Sequence, residues 1–153
     1  MPTIIPLNNL EQVANGGANR VWELTHADLT QTTVNTAQAF TIPVAAGDAF
    51  RVVAVKLITP LEDQSDAAFN SCAATIGDGG SATRFLASTQ LNLNGTEIDF
   101  APGALGESYL YNVADTVDIS IGSMTAKALN DIDKGRWQVF YHHKRFNENP
   151  AID

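Results

Sequence analysis

Three histidines, one cysteine and two short acidic clusters are the side chains that chemistry would draw on first. His142 and His143 are adjacent in a stretch that alternates like a strand, so they point to opposite faces and cannot chelate one metal ion together. A metal site on strands needs ligands at alternate positions, or a distant contribution such as His26. Hydrogen-bonded histidines near a strand end are the simpler expectation. Cys72 lies in the run Asn70-Ser71-Cys72-Ala73-Ala74-Thr75-Ile76 and reads as a small packed hydrophobe. A single cysteine excludes an intramolecular disulfide framework and a thiolate-rich metal site. Glu62-Asp63-Gln64-Ser65-Asp66 is oxygen-rich enough to suit calcium, but it lacks EF-hand spacing and reads as a solvated loop. Asp131 and Asp133 flank Ile132 in a turn that Gly135 makes possible. Whether any carboxylate pair has the separation that glycoside hydrolysis needs is a three-dimensional matter. Gly77-Asp78-Gly79-Gly80 follows a strand pattern, yet no Gly-Lys-Ser/Thr ending or strong helix comes after it, so it reads as a turn rather than a phosphate loop. No Gly-x-Ser-x-Gly elbow occurs, and nothing pairs a nucleophile with a base. The expectation is a protein that is not an enzyme and holds neither cofactor nor metal.

The elements that carry these residues have the period of strands. The chain has 153 residues, one domain's worth, and 44% are hydrophobic, enough for a core. Val117, Ile119 and Ile121 alternate with Thr116, Asp118 and Ser120; Trp137, Val139 and Tyr141 alternate with Arg136 and Gln138, although Phe140 makes the second face partly apolar. Residues 49–59 are apolar on both faces, as a central strand covered on two sides would be. Phe40, Ile42 and Val44 lead through Ala45-Ala46-Gly47-Asp48 into that strand, so 38–59 reads as a hairpin. Asn94-Gly95 between alternating apolar residues predicts another. Helix is scarce: 83–89 and 124–129 suit a turn or two of helix, or equally strand or loop. Turns every eight to twelve residues and some eight strands predict an all-β, antiparallel β-sandwich, of jelly-roll type rather than a closed up-and-down barrel. The aromatic residues fall mostly at strand positions and read as core.

Residues 1–20 stand apart. Pro2 and Pro6 bracket Thr3-Ile4-Ile5, Leu7, Leu10 and Val13 share one short helical face, and Asn15-Gly16-Gly17-Ala18-Asn19 is turn-forming. The segment reads as an extended N-terminal arm and linker, followed by a sandwich domain over 21–146 and a polar tail over 147–153. Its apolar residues must cover either the edge of their own sheet or a neighbouring subunit. Ile4, Ile5, Leu7 and Leu10 are the candidate partner-binding residues. Nine basic and seventeen acidic residues leave a net charge of −8, which gives the chain no electrostatic reason to coat nucleic acid or an anionic membrane. No apolar run approaches the ~18 residues of a membrane span, and the first residues lack a secretory signal's basic and apolar regions.

Three stretches together resemble small virion proteins of tailed bacteriophages, above all head decoration (cement) proteins with jelly-roll or related β folds. They are Ala73-Ala74-Thr75-Ile76-Gly77-Asp78, Asp115-Thr116-Val117-Asp118-Ile119-Ser120-Ile121, and the linker Asp131-Ile132-Asp133-Lys134-Gly135 before Arg136-Trp137-Gln138-Val139-Phe140-Tyr141. The resemblance covers about residues 49–146. It implies a non-enzymatic structural protein on the capsid surface of a virion, made in the host cytoplasm. It would stabilise the shell by binding the major capsid protein, as a homo-oligomer and most naturally a trimer. The alternatives from other classes are a carbohydrate- or receptor-binding sandwich module of a fibre or tail, and a small cupin-type metalloenzyme.

Overall fold

Period-two hydrophobicity resolves into two antiparallel sheets facing each other across one core. The computed structural model describes residues 1–59, 72–90, 98–100, 108–122 and 124–144. The strands are β1 (Thr3–Pro6), β2 (Arg20–Thr25), β3 (Gln38–Val44), β4 (Ala49–Thr59), β5 (Ala73–Asp78), β6 (Ser81–Gln90), β7 (Ile98–Phe100), β8 (Tyr109–Leu110), β9 (Asp115–Ile121) and β10 (Arg136–Lys144), with one short helix, α1 (Asn9–Ala14). One sheet runs β1-β2-β10-β4-β7, with β8 also pairing β4; the other runs β3-β9-β5-β6. Four sets of pairings are nested, β2 with β10, β3 with β9, β4 with β7 and β8, and β5 with β6, while β4 with β10 and β5 with β9 join them into the two sheets. Such nesting is one long hairpin folded over on itself. The all-β antiparallel sandwich expected from the alternation is therefore what the chain adopts.

The inward residues come from the strands that the sequence pattern marks. Trp22, Leu24, Phe50, Val52, Val55, Trp137, Val139 and Tyr141 of one sheet meet Ile42, Val44, Ile76, Phe85, Val117, Ile119 and Ile121 of the other in a continuous core. Phe50 centres its aromatic part, stacked on Tyr141 at 4.9 Å and tilted against Phe85 at 5.3 Å. Two irregularities explain where simple alternation fails. Phe140 pairs with Ala54 but the next residue, Tyr141, pairs with Val52, so Val53 is an extra residue in β4. Such a bulge flips the parity of the strand, which keeps Phe50, Val52 and Val55 all inward. A similar shift in β6 buries Phe85 and Leu86 in succession, so residues 83–89 are strand despite their helix-compatible spacing.

The outer face of β4 is covered as well. Ala18, Val21 and Phe140 form a second small cluster there, with Leu7, Val53 and Ala54 packed against it. The first twenty residues supply this cover. β1 pairs along the edge of β2, from Thr3 opposite Glu23 to Pro6 opposite Arg20. The backbone of the segment thus joins its own sheet and Leu7 packs against it, while the side chains of Ile4 and Ile5 stay partly exposed. Asn8 caps α1 reciprocally with Glu11, through bonds of 2.9 and 2.8 Å.

Two sequence expectations are corrected. Residues 38–59 do not form a hairpin, because β3 pairs with β9 and β4 with β10 in opposite sheets. The 45–48 turn is instead a crossing between sheets; its alternating flanks satisfy two different partners and so mimic a hairpin. Residues 15–19 are not a loose linker. The Asn19 side chain donates to the His143 carbonyl (2.9 Å) and accepts from the His143 amide (3.0 Å), and Ala18 is fully buried. An asparagine here completes a backbone-like pair with β10, a long-range contact that local turn chemistry does not announce. The Asn94-Gly95 hairpin and the 62–66 acidic loop lie outside the described residues.

Cys72 is fully buried, and burial pushes its thiol up to about 12. Native protein at pH 8 is expected to leave a thiol-specific disulfide reagent unconsumed, with one equivalent reacting on unfolding in guanidinium. Rapid reaction of the native chain would contradict that burial.

Candidate functional site

Among the described residues, two places present chemistry at the surface, at opposite edges of the six-stranded sheet. The first is the edge formed by β1 and α1. Ile4 and Ile5 are 47% and 38% exposed, and Leu10 and Val13, one helical turn apart on α1, are each 83% exposed. Leu7, by contrast, turns into the outer cluster of its own domain. Among the four candidate partner-binding residues, Ile4, Ile5 and Leu10 thus offer apolar surface outward, and Leu7 fastens the segment that carries them.

The second place is a cleft of about 330 Å³ where the turn between β5 and β6 meets β8 and the loop into β9. Its organiser is Asp78, a residue the sequence marks only as part of a turn. The Asp78 side chain is buried; one carboxylate oxygen accepts from the amides of Gly80 (3.0 Å) and Ser81 (2.9 Å), closing the turn. The other accepts from Tyr111 Oη at 2.9 Å and from Arg84 Nε in a short ion pair. Tyr111 follows a strand of one sheet while Asp78 ends a strand of the other, so this bond staples the sandwich at its end. Burial alone would raise the Asp78 pKa, but the hydrogen bonds from Arg84, Tyr111 and Ser81 outweigh it and hold the carboxyl below its ordinary range. The same contacts raise the Tyr111 phenol, first through burial and then through its bond to Asp78. The Arg84 guanidinium lies over the Tyr109 ring at 3.8 Å, and Tyr109 meets Tyr111 edge-on at 4.9 Å.

A parallel polar pair backs the cleft. Asp48, fully buried in the β3–β4 crossing, accepts from the Ala45 amide (2.9 Å) and lies 2.7 Å from His143 Nε2. The backbones of Gly47 and Asp48 bond reciprocally with that of Tyr111, at 2.6 and 2.9 Å. His143 is thus a hydrogen-bonded histidine near the end of its strand, as the pattern suggested, while His142 lies on the other face, half-buried. Burial, then the neighbouring charges of Arg51 and Lys144, lower its pKa. Among the described residues, no three histidine, cysteine or acidic side chains converge as metal ligands would.

Sequence reasoning missed Asp48, Asp78, Arg84 and Asp115 as a set. The one local signal is Asp-Gly-Gly followed by an arginine four residues later, which a tight hairpin brings back beside the aspartate. No sequence signal connects them to Tyr111, 33 residues from Asp78. No family model, curated protein or solved structure matches this chain.

Proposed function

We propose that this chain is a non-enzymatic structural protein of a tailed-phage virion, a jelly-roll domain that decorates the capsid and stabilises it by binding the shell of major capsid protein. The observation that carries the reading is the outward apolar surface of Leu10 and Val13, on a helix fastened to the sheet edge beside Ile4 and Ile5. Apolar side chains held on a rigid edge mark a protein-contact surface when they cluster. The nested strand order supports the jelly-roll assignment, since a rolled-up long hairpin is how that fold is wired. Proline at both ends of β1 blunts the free edge against uncontrolled pairing and leaves the side chains to set specificity. Binding only the assembled shell stabilises it by linkage, and an oligomer adds avidity.

The test is co-sedimentation with capsid shells of the encoding virus, with native mass measured by light scattering. The expected state is a trimer of the 16.4 kDa chain. The double substitution Leu10→Glu, Val13→Glu is expected to cut shell occupancy about tenfold or more, with the melting temperature unchanged, because neither side chain is buried. Deleting residues 1–19 is a poorer test, since it also strips β2 of its partner and removes Leu7 from the outer cluster. Full shell binding by the double variant would sink the assignment of this surface. Failure of the unaltered chain to bind shells would sink the decoration role.

A further inference from the structure

We propose that the cleft beside the β5–β6 turn is a binding site for a neutral saccharide, its hydroxyls held by Arg84, Asn112 and Asp115 and its ring lying beside Tyr109. The inference is independent of the capsid reading. The cleft and β1 stand at opposite edges of the same sheet, so a chain docked through its N-terminal edge leaves the cleft open.

The polar groups have the mixture a sugar requires. Arg84 spends its Nε on Asp78 and its face on Tyr109, and its two terminal nitrogens have no partner among the described residues. They are donors whose direction is already set. Gly80 makes room for them, because a Cβ there would stand 3.0 Å from Nη2. Asp115 accepts from the Thr116 amide with one oxygen at 2.8 Å and lines the cleft with its carboxylate, an acceptor for sugar hydroxyls. Asn112 is exposed at the rim and brings both a donor and an acceptor. Tyr109 is 37% exposed; Arg84 covers one face of its ring, and the exposed remainder offers apolar surface beside a polar tip.

Charge selects the class of ligand. The positive charge of Arg84 is already matched by Asp78, and Asp115 adds a further negative charge in a chain of net charge −8. A carboxylate or phosphate ligand would meet Asp115; a cation would meet Arg84. A neutral polyol, which donates to one and accepts from the other, satisfies both. The cleft's volume lies at the small end of the range for ligand sites, roughly 300–1,000 Å³, which suits one or two sugar rings. Because Asp78 holds Arg84 and Tyr111 before any ligand arrives, little ordering is left to be done on binding.

Titrating the full, isotope-labelled chain by NMR with the methyl glycosides of glucose, galactose, mannose and N-acetylglucosamine tests this. Glucuronic acid and N-acetylneuraminic acid serve as charged probes. At least one neutral glycoside is expected to bind saturably at millimolar concentration, with the shift changes centred on residues 109–115. Tyr109→Ala and Asn112→Ala, both at exposed positions, are each expected to weaken that binding about fivefold or more in a chain whose spectrum stays folded. Three results would overturn the proposal: no neutral glycoside binds, the shift changes centre elsewhere, or an acidic sugar binds more tightly. Undiminished affinity in both folded variants would overturn it too. None of these results bears on shell binding.

Discussion

Asp78→Ala is expected to lower the unfolding free energy by about 3 kcal/mol. Four donors lose their acceptor at once: the Gly80 and Ser81 amides, the Tyr111 hydroxyl and the Arg84 guanidinium. The buried Tyr111 hydroxyl then stands unsatisfied, at about 1–3 kcal/mol, whereas Arg84, partly exposed, recovers some hydration. That difference places the sum near the low end of the 3–5 kcal/mol typical of a broken buried pair. Tyr111→Phe removes one donor cleanly and should cost only about 1 kcal/mol. Urea unfolding of the two variants measures both, and a loss below about 1 kcal/mol for Asp78→Ala would mean that the cluster is not a staple.

The same residue sets a pH dependence. Its carboxyl titrates lower in the folded chain than its ordinary value of 3.8, so its stabilisation is fully present above that value. The contribution is lost as pH falls through the folded value. Glu23 acts in the same direction, because its hydrogen bond from Arg136 holds it low as well. Stability should thus fall on acidification below about pH 4, and Asp78→Asn should flatten that fall while lowering stability at neutral pH. An acid slope unchanged by Asp78→Asn would assign the dependence to other carboxylates.

Gly77→Ala is the second large effect expected, about 3 kcal/mol or more. A Cβ at position 77 would stand 2.2 Å from the Ser81 carbonyl oxygen and the Ala82 carbonyl carbon. Both are backbone atoms of the facing strand, so no side chain can swing away, and β5 and β6 must separate where Asp78 draws them together. Gly79→Ala is the internal control. Its nearest neighbour is an Asp115 carboxylate oxygen at 3.1 Å on an exposed turn, and the cost should stay below about 1 kcal/mol. Thermal melts of the two variants compare them directly; at roughly 2–4 °C per kcal/mol for a chain of this size, the difference is readily resolved. Equal melting temperatures would mean that the close approach of β5 and β6 at Gly77 does not constrain the fold.

Local periodicity is enough to make the sandwich legible. Val117, Ile119 and Ile121, like Trp137, Val139 and Tyr141, point one way because a strand has no other choice, and all six are buried. The same rule separated His142 from His143, and the lone Cys72 among small residues packed as such residues do. Pairing partners are another matter. The 45–48 turn suits a hairpin or a crossing equally well, and only competition among β9, β10 and the two faces of the core sends β3 and β4 to different sheets. The cleft was illegible for the same reason. Asp78, Arg84 and Tyr111 come from three elements, and each is an ordinary turn or strand residue on its own. What unites them is burial: a carboxylate withdrawn from water must collect donors wherever the fold offers them, across any distance in sequence. The residues therefore determined, by themselves, which way each strand faces and what the core is made of. Tertiary structure alone decided which polar groups meet, because hydrophobic alternation acts between neighbours in the chain and desolvation acts between neighbours in space.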